Sequence, residues 1–338
     1  MIQDVFDHVV SRENLYRAAH AAARGKRYND EVAFFNFRME NAIEHLRGDL
    51  VAGRYRHGPY EVFRIYEPKE RDIAKASFRD RVVHHAVHDV IEPVIDRRFI
   101  FDSYACRTGK GTHVAIERAQ SFLEAKLYCL HGDVKKYFPS IDRNIARVLL
   151  RRHVRDDRLF VLLEEIIDSA RHVFPGQAGL PIGNLMSQFL ANLYLHELDV
   201  FVKHTLRCRY YLRYMDDFLL FDDDPVVLLR WRAAVAGMLA SRLRLCLHPD
   251  KSQVFSARRG LTFLGFYLSR GRRRLAAHAM RRVRLRLKKF RYDASRGVMT
   301  ASDINASMLC WKAHSEYADT VRLRAEMVEC QDPRESGH

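Results

Sequence analysis

Apolar residues change their spacing several times along this chain, and each change predicts a different element. Over residues 1–57 the positions Phe34, Phe37, Ile43, Leu46 and Leu50 recur near helical spacing, until Gly53 and then Gly58-Pro59 break the pattern. Residues 60–66 alternate apolar and polar, which predicts a half-buried strand. A charged tip follows (Glu67-Pro68-Lys69-Glu70-Arg71), and residues 72–76 lead back. A helix is predicted over 79–95, with Pro93 marking its end. An apolar strand runs from 127 into Asp133, Pro139 and Ser140 start a turn, and a polar, arginine-rich helical region covers 142–172. Gly179, Pro181 and Gly183 form a loop, and Asn184 is placed to cap a helix. Apolar positions 189, 190, 193, 194, 198, 201 and 202 trace one face of that helix. A strand-turn-strand over 210–221, a helix over 225–242, a strand through Leu243, Leu245 and Leu247, a turn at 248–251 and a short hairpin at 263–266 follow.

The run 210–221 is apolar except where Tyr214-Met215-Asp216-Asp217 interrupts it. Burying an unpaired carboxylate is costly, so two adjacent ones need a reason. Two readings are open on these four residues alone: a polar turn, for which aspartate is well suited, or a functional carboxylate pair. A further carboxylate, Asp133, ends another apolar strand and is followed by the aromatic pair Tyr137-Phe138.

Composition narrows the choice. The chain has 338 residues, long enough for several subdomains, and 48% hydrophobic content argues for an ordered protein. The net charge of +15 points to a polyanionic partner, most simply nucleic acid. The excess concentrates between 270 and 289, where Arg281, Arg284 and Lys288 stand among ten basic residues. The last 70 residues therefore read as a helical module whose basic face suits duplex phosphates, with a disordered tail of about eight residues. No apolar run is long enough to span a membrane and the N-terminus has no signal-peptide pattern, so a cytoplasmic location is expected. Six cysteines without a metal or disulfide spacing read as reduced, mostly buried thiols. His84, His85 and His88 read as a packed or solvated helix face rather than a metal site. In the stretch SYACRTGKGTH (103–113), Gly109 and Gly111 bracket Lys110, and Arg107 precedes them. That loop matches no nucleotide-binding fingerprint, but it suits a template backbone.

Three clustered carboxylates repel one another and call for cations. Carboxylate oxygens suit Mg²⁺, and paired metals stabilise both oxygens of an in-line phosphoryl transfer. The order Asp133, glycine loop, Asp216-Asp217, Lys251 resembles the reverse transcriptases. Asp133 with Phe138 is similar to the family's first palm motif, Leu180-Pro181-Ile182-Gly183 to its nucleotide-pocket loop, YMDD to its catalytic hairpin, Lys251 to the next motif's lysine and 263–266 to its primer-gripping hairpin. The resemblance implies an α+β right-hand polymerase fold. Its expected parts are an N-terminal helical extension (1–57), fingers (58–126), palm (127–268, with a finger insertion near 143–178) and a basic helical thumb with a short tail (269–338).

The same resemblance implies the site. Asp133, Asp216 and Asp217 would be catalytic, binding two Mg²⁺ (or Mn²⁺) with the Val134 backbone. Lys69, Arg71, Phe138, Ile182, Gly183, Gln188 and Lys251 would bind the dNTP, with Phe138 excluding a 2′-hydroxyl. Arg107, Lys110, Leu264, Gly265, Arg281, Arg284 and Lys288 would contact nucleic acid. Intron-encoded members usually carry glutamine where Ile182 stands and Ser-Pro where Ser187-Gln188 stand. The run IGNLMSQ (182–188), with EPKERDI and SYACRTGKGTH, resembles the enzymes of diversity-generating retroelements. Those copy a template RNA into cDNA from a DNA primer, with errors at adenines, beside a small basic accessory protein that is oligomeric. Other bacterial reverse transcriptases (antiphage defence, retron or intron type) and a non-catalytic RNA-binding scaffold are the alternatives. The intron type is disfavoured, because the residues after 320 leave no room for a maturase extension.

Overall fold

The computed structural model describes residues 1–26, 28–66 and 70–321, apart from the side chains at 291, 301, 305 and 310. Its first residues are paired with a distant loop. The Ile2 N–H donates to the His153 carbonyl and the Ile2 carbonyl accepts from Arg155, both at 2.8 Å. Four helices follow: α1 (Phe6–Val9), α2 (Arg12–Ala23), α3 (Asp30–Phe37) and α4 (Met39–Val51). Ser11 and Asn29 begin α2 and α3 by accepting the backbone N–H of Asn14 and Glu31. Ile43, Leu46 and Leu50 are buried as their spacing predicts, but Phe34 and Phe37 are 62% and 86% exposed. In α3 the apolar residues surround two turns of helix, so Val32 alone is buried.

The hairpin of β1 (Glu61–Ile65) and β2 (Arg71–Lys75) pairs Glu61 with Lys75 and Ile65 with Arg71. The strand expected to be half-buried is exposed along most of β1, since this ribbon pairs with no other strand. The next helix, α5 (Phe78–Asp96), runs through Pro93 rather than ending there. A proline one turn from the end removes one N–H without stopping the helix so near its terminus. The small residues Ala18, Ala19 and Ala22 are buried, and α2 lies along α5.

The central sheet contains β3 (Tyr128–Asp133), β4 (Tyr211–Tyr214), β5 (Asp217–Asp222) and β6 (Gln253–Ser256), in the order β4-β5-β3-β6, with every neighbour antiparallel. Side chains alternate across a strand, and the sheet divides two cores accordingly. Leu130, Tyr211, Phe218 and Leu220 enter the larger core. Cys129, Leu212, Leu219 and Phe221 enter the smaller one. The larger core is closed by α5, by α7 (Tyr137–Ser140), α8 (Arg143–Arg151) and α9 (Asp157–Asp168), and by α10 (Leu185–Val200) and α11 (Pro225–Leu243). α10 is buried on nearly all sides rather than along one face. The alternation of Leu243, Leu245 and Leu247 is not a strand. Leu243 ends α11, Arg244 turns left-handed (φ 52°), and Leu247 makes a single bridge to Val134.

The smaller core lies between α6 (Thr112–Ala125) and a second sheet of β7 (Leu261–Phe263), β8 (Phe266–Ser269) and β9 (Arg272–Leu275). Arg272, Arg273 and Arg274 therefore lie on a strand, not in the helical module. That module is α12 (Ala277–Ser295) and α13 (Ala301–Ser315), the latter started by a reciprocal cap between Thr300 and Asp303. The expected disordered tail lies outside the described residues. Cys129 and Cys208 are free and buried, whereas Cys106 and Cys246 are free and exposed, so the expectation of mostly buried thiols holds for half of those described. His84 is buried and stacks on His57 at 5.2 Å. Among the described residues no helix is long and apolar enough to cross a membrane.

Candidate active site

Antiparallel register brings the acidic strand ends together: Asp133, the last residue of β3, pairs with Asp217, the first of β5. Gly132 makes room for this pairing, because a Cβ there would meet the Phe218 ring at 2.2 Å. Tyr214 pairs with Asp217, so Met215 and Asp216 form a two-residue turn, and Met215 takes φ 55°. A left-handed methionine is strained, and such strain persists only where the surroundings impose it.

What imposes it is a buried network that the sequence reading missed. Arg213 of β4 is fully buried and bonds both Asp199 carboxylate oxygens of α10 at 2.7 Å. It also donates to the Met215 carbonyl and to Asn192 Oδ1, each at 3.1 Å, and to Ser103 Oγ at 3.2 Å. The loop at 103–113 is fastened to the same strand, with Tyr104 N–H donating to the Arg213 carbonyl and Arg213 N–H to that of Asp102. A lone arginine and a lone aspartate in two otherwise apolar runs were the available signal.

Burial pushes the Asp216 carboxyl up to about 6, the neighbouring Asp217 and Asp133 add repulsion, and the Arg71 guanidinium acts in the opposite direction. Arg71 of the β1–β2 hairpin thus faces the carboxylates, while Lys69 lies outside the described residues. Lys251 pairs with Asp133 Oδ2, and His131 Nε2 stands 3.3 Å from Asp217 Oδ1. Among the described residues no three His, Cys, Asp or Glu side chains are gathered as a metal cage. The donor chemistry nevertheless fits hard divalent cations: three carboxylates, one held back from ionising by burial and by its neighbours. Around Val134, the bridge to Leu247 uses the Asp133 carbonyl and the Lys135 N–H, so the Val134 carbonyl is not part of that pairing.

The predicted pocket loop is joined to both flanking motifs. Leu180 N–H donates to the Phe138 carbonyl at 2.9 Å, and Ala74 N–H of β2 donates to that of Ile182 at 3.0 Å. Asn184 does not cap α10 with its side chain, which instead donates to the Ala74 carbonyl at 2.8 Å. Gly183 holds φ 106°, and a Cβ there would meet Ile73 Cγ2 at 2.9 Å. Gln188 accepts from the Cys106 thiol at 3.5 Å. Beside this loop opens a cavity of about 550 Å³ lined by Arg24, Lys26, Lys75 and Arg81.

The nucleic-acid expectations divide. Arg107 is turned inward, with its guanidinium bonded to both Asp96 carboxylate oxygens and to the Ile100 and Ser103 carbonyls. That commitment corrects its assignment as a backbone contact. Lys110 lies 3.5 Å over the Phe101 ring and donates to the Phe101 carbonyl. Leu264 and Gly265 form the β7–β8 tip, both left-handed (φ 47° and 87°). Arg281, Arg284 and Lys288 are exposed on α12, spaced for one helix face.

Sheet, acidic turn and charged hairpin are together consistent with a polymerase fold. The chain belongs to the reverse transcriptase (RNA-dependent DNA polymerase) family, whose model matches residues 67–268. Enzymes of this family take an RNA template and nucleotides and generally use divalent metal ions. Protein YkfC of Escherichia coli K12 is 26% identical over 283 residues, 70% of this chain and 74% of YkfC. Group II intron-encoded protein LtrA of Lactococcus lactis subsp. cremoris is 25% identical over 204 residues, 58% of this chain but 33% of LtrA. Nuclear intron maturase 1 of Arabidopsis thaliana is 30% identical over 104 residues, 31% of this chain and 14% of that protein. The chain thus spans about three quarters of the length of YkfC and a third of that of LtrA.

Proposed function

We propose that this chain makes error-prone cDNA from a retroelement template RNA, working with a small basic accessory protein to diversify a target gene. The observation that carries the reading is the loop IGNLMSQ, with Ile182 tied by its carbonyl to the β1–β2 hairpin and its side chain half-buried. A glutamine at this position can hydrogen-bond an incoming nucleotide, whereas isoleucine offers only apolar contact. One such bond is worth about 1 kcal/mol, enough to relax discrimination several-fold.

In this reading Asp133, Asp216 and Asp217 hold two Mg²⁺ at the strand ends, assisted by the Val134 carbonyl. When bound, the ions stabilise the attacking and leaving oxygens of nucleotidyl transfer. Arg71 (with Lys69) holds the triphosphate, Gly183 gives it close approach, and Phe138 lies under the sugar. Lys251 balances Asp133 until a divalent ion replaces it. Leu264 and Gly265 bear on the primer, and Arg281, Arg284 and Lys288 on duplex phosphates. The cationic cavity beside the loop suits template phosphates.

Sequencing of cDNA made by the full chain, with its RNA and accessory protein, tests the reading. Errors concentrated at template adenines, reduced in Ile182→Gln, are expected. Uniform errors that the substitution leaves unchanged would remove both the mutagenic role and that of Ile182. The kinship with LtrA favours a second reading, an intron-type enzyme of ordinary fidelity, and uniform errors are its expected outcome.

A further inference from the structure

His131 stands on β3 two residues before Asp133, on the same face of the sheet. Its neighbours across the sheet are Leu219 and Gln253, so Asp217 is its diagonal partner on β5. Its Nε2 lies 3.3 Å from Asp217 Oδ1. An ionised carboxylate only accepts hydrogen bonds, so the proton of this contact sits on Nε2. Phe263 meets the ring nearly edge-on, with centroids 6.2 Å apart and planes at 83°. Phe263 is itself buried, beside the tip of the β7–β8 hairpin. The imidazole is therefore oriented from one side by a buried aromatic and aims its N–H at the other.

Asp217 has no other side-chain hydrogen bond among the described residues, and its side chain is 37% exposed. Without His131 its carboxylate would turn between staggered rotamers at little cost. We propose that His131 is a positioning residue that presets the Asp217 carboxylate for a divalent cation, a role that rests on reading Asp133, Asp216 and Asp217 as the cation-binding set. The bond occupies Oδ1 and leaves Oδ2 to the ion. It differs in kind from the Lys251 contact on Asp133. An ammonium competes with an incoming cation, whereas an imidazole N–H needs no charge of its own and stays while the ion binds. Hydrogen bonds to metal-ligating groups commonly set affinity by about 10–100-fold.

The test is direct Mn²⁺ binding to the full-length chain, followed by loss of the free-ion paramagnetic resonance signal. It compares the wild type with His131→Asn, His131→Gln and Asp216→Asn. Glutamine carries its N–H about as far out as Nε2, whereas asparagine falls short. Mn²⁺ affinity about tenfold weaker in His131→Asn is expected, with most of it recovered in His131→Gln. In primer extension, the Mg²⁺ concentration for half-maximal rate shifts in the same direction, while KM for dNTP at saturating Mg²⁺ holds. Equal affinity in all three His131 proteins, or equal weakening in Asn and Gln, overturns the positioning role. Wild-type binding and extension by Asp216→Asn overturns the underlying site instead. Loss in Asp216→Asn beside unchanged His131→Asn removes His131 alone.

Discussion

At the scale of single residues, Asp216 concentrates the electrostatics of the site. Its carboxyl titrates near 6 in the folded chain, against about 4 for an unfolded aspartate. Between those values the folded state binds the proton more tightly, so the contribution of Asp216 to metal-free stability is full below about pH 4 and is lost as pH rises through 6. The change attributable to Asp216 is about 2 kcal/mol, less than the full shift implies because the group is partly exposed. Denaturant melts in chelator should show it as a difference between wild type and Asp216→Asn, and Mg²⁺ in place of chelator should offset it by stabilising the wild type alone. A stability difference that is flat from pH 4 to 7 would contradict the crowding of the three carboxylates. Phe138 yields a second expectation: Phe138→Ala should incorporate ribonucleotides in primer extension, and unchanged sugar discrimination would end its assigned role. Single residues were also where the sequence was most legible. Asp133, Asp216 and Asp217 stood out as charges at the ends of apolar runs. Arg107 was misleading because its partner, Asp96, sits at the far end of α5, a pairing that no local pattern encodes.

At the scale of elements, the acidic turn is held by α10 and by the loop at 103–113 through Arg213. Removing one member of a buried ion pair leaves an uncompensated charge and costs about 3–5 kcal/mol. Arg213→Met and Asp199→Leu should each destabilise by that order in urea melts, and the double substitution should recover much of the loss. Primer extension should not recover with it, because the bond to the Met215 carbonyl is lost wherever Arg213 is replaced. Recovery of both together would mean that the pair serves stability alone. Elements with long, uninterrupted periodicity were read correctly, as with α11 and the strand into Asp133. The failures have a common cause. Phe34, Phe37 and β1 are apolar yet exposed, because their spacing says which side is apolar but not whether anything covers it. β6 and β9 are four residues each, too short for a period to register.

At the scale of the whole molecule, the register that joins Asp133 to Asp217 is non-local, and only the folded sheet supplies it. The sheet that supplies it also separates two cores of unequal size, and among the described residues each contains one buried free thiol: Cys208 in the larger, Cys129 in the smaller. Burial raises the pKa of both, so each is inert to a thiol reagent until its own core opens. The chain thus carries two internal clocks, one on each side of its central sheet. With modification followed site by site in a mass spectrometer, Cys246 should react at once and Cys106, whose thiol burial also pushes up, more slowly. Cys129 should react through opening of the smaller core alone, slowed when template-primer spans α12. Cys208 should wait for global unfolding. If the two buried thiols react at one rate, the cores open together. If Cys129 leads, a duplex can be admitted or released while the β3–β5 ladder, still backed by Leu130 and Phe218, keeps its carboxylates aligned.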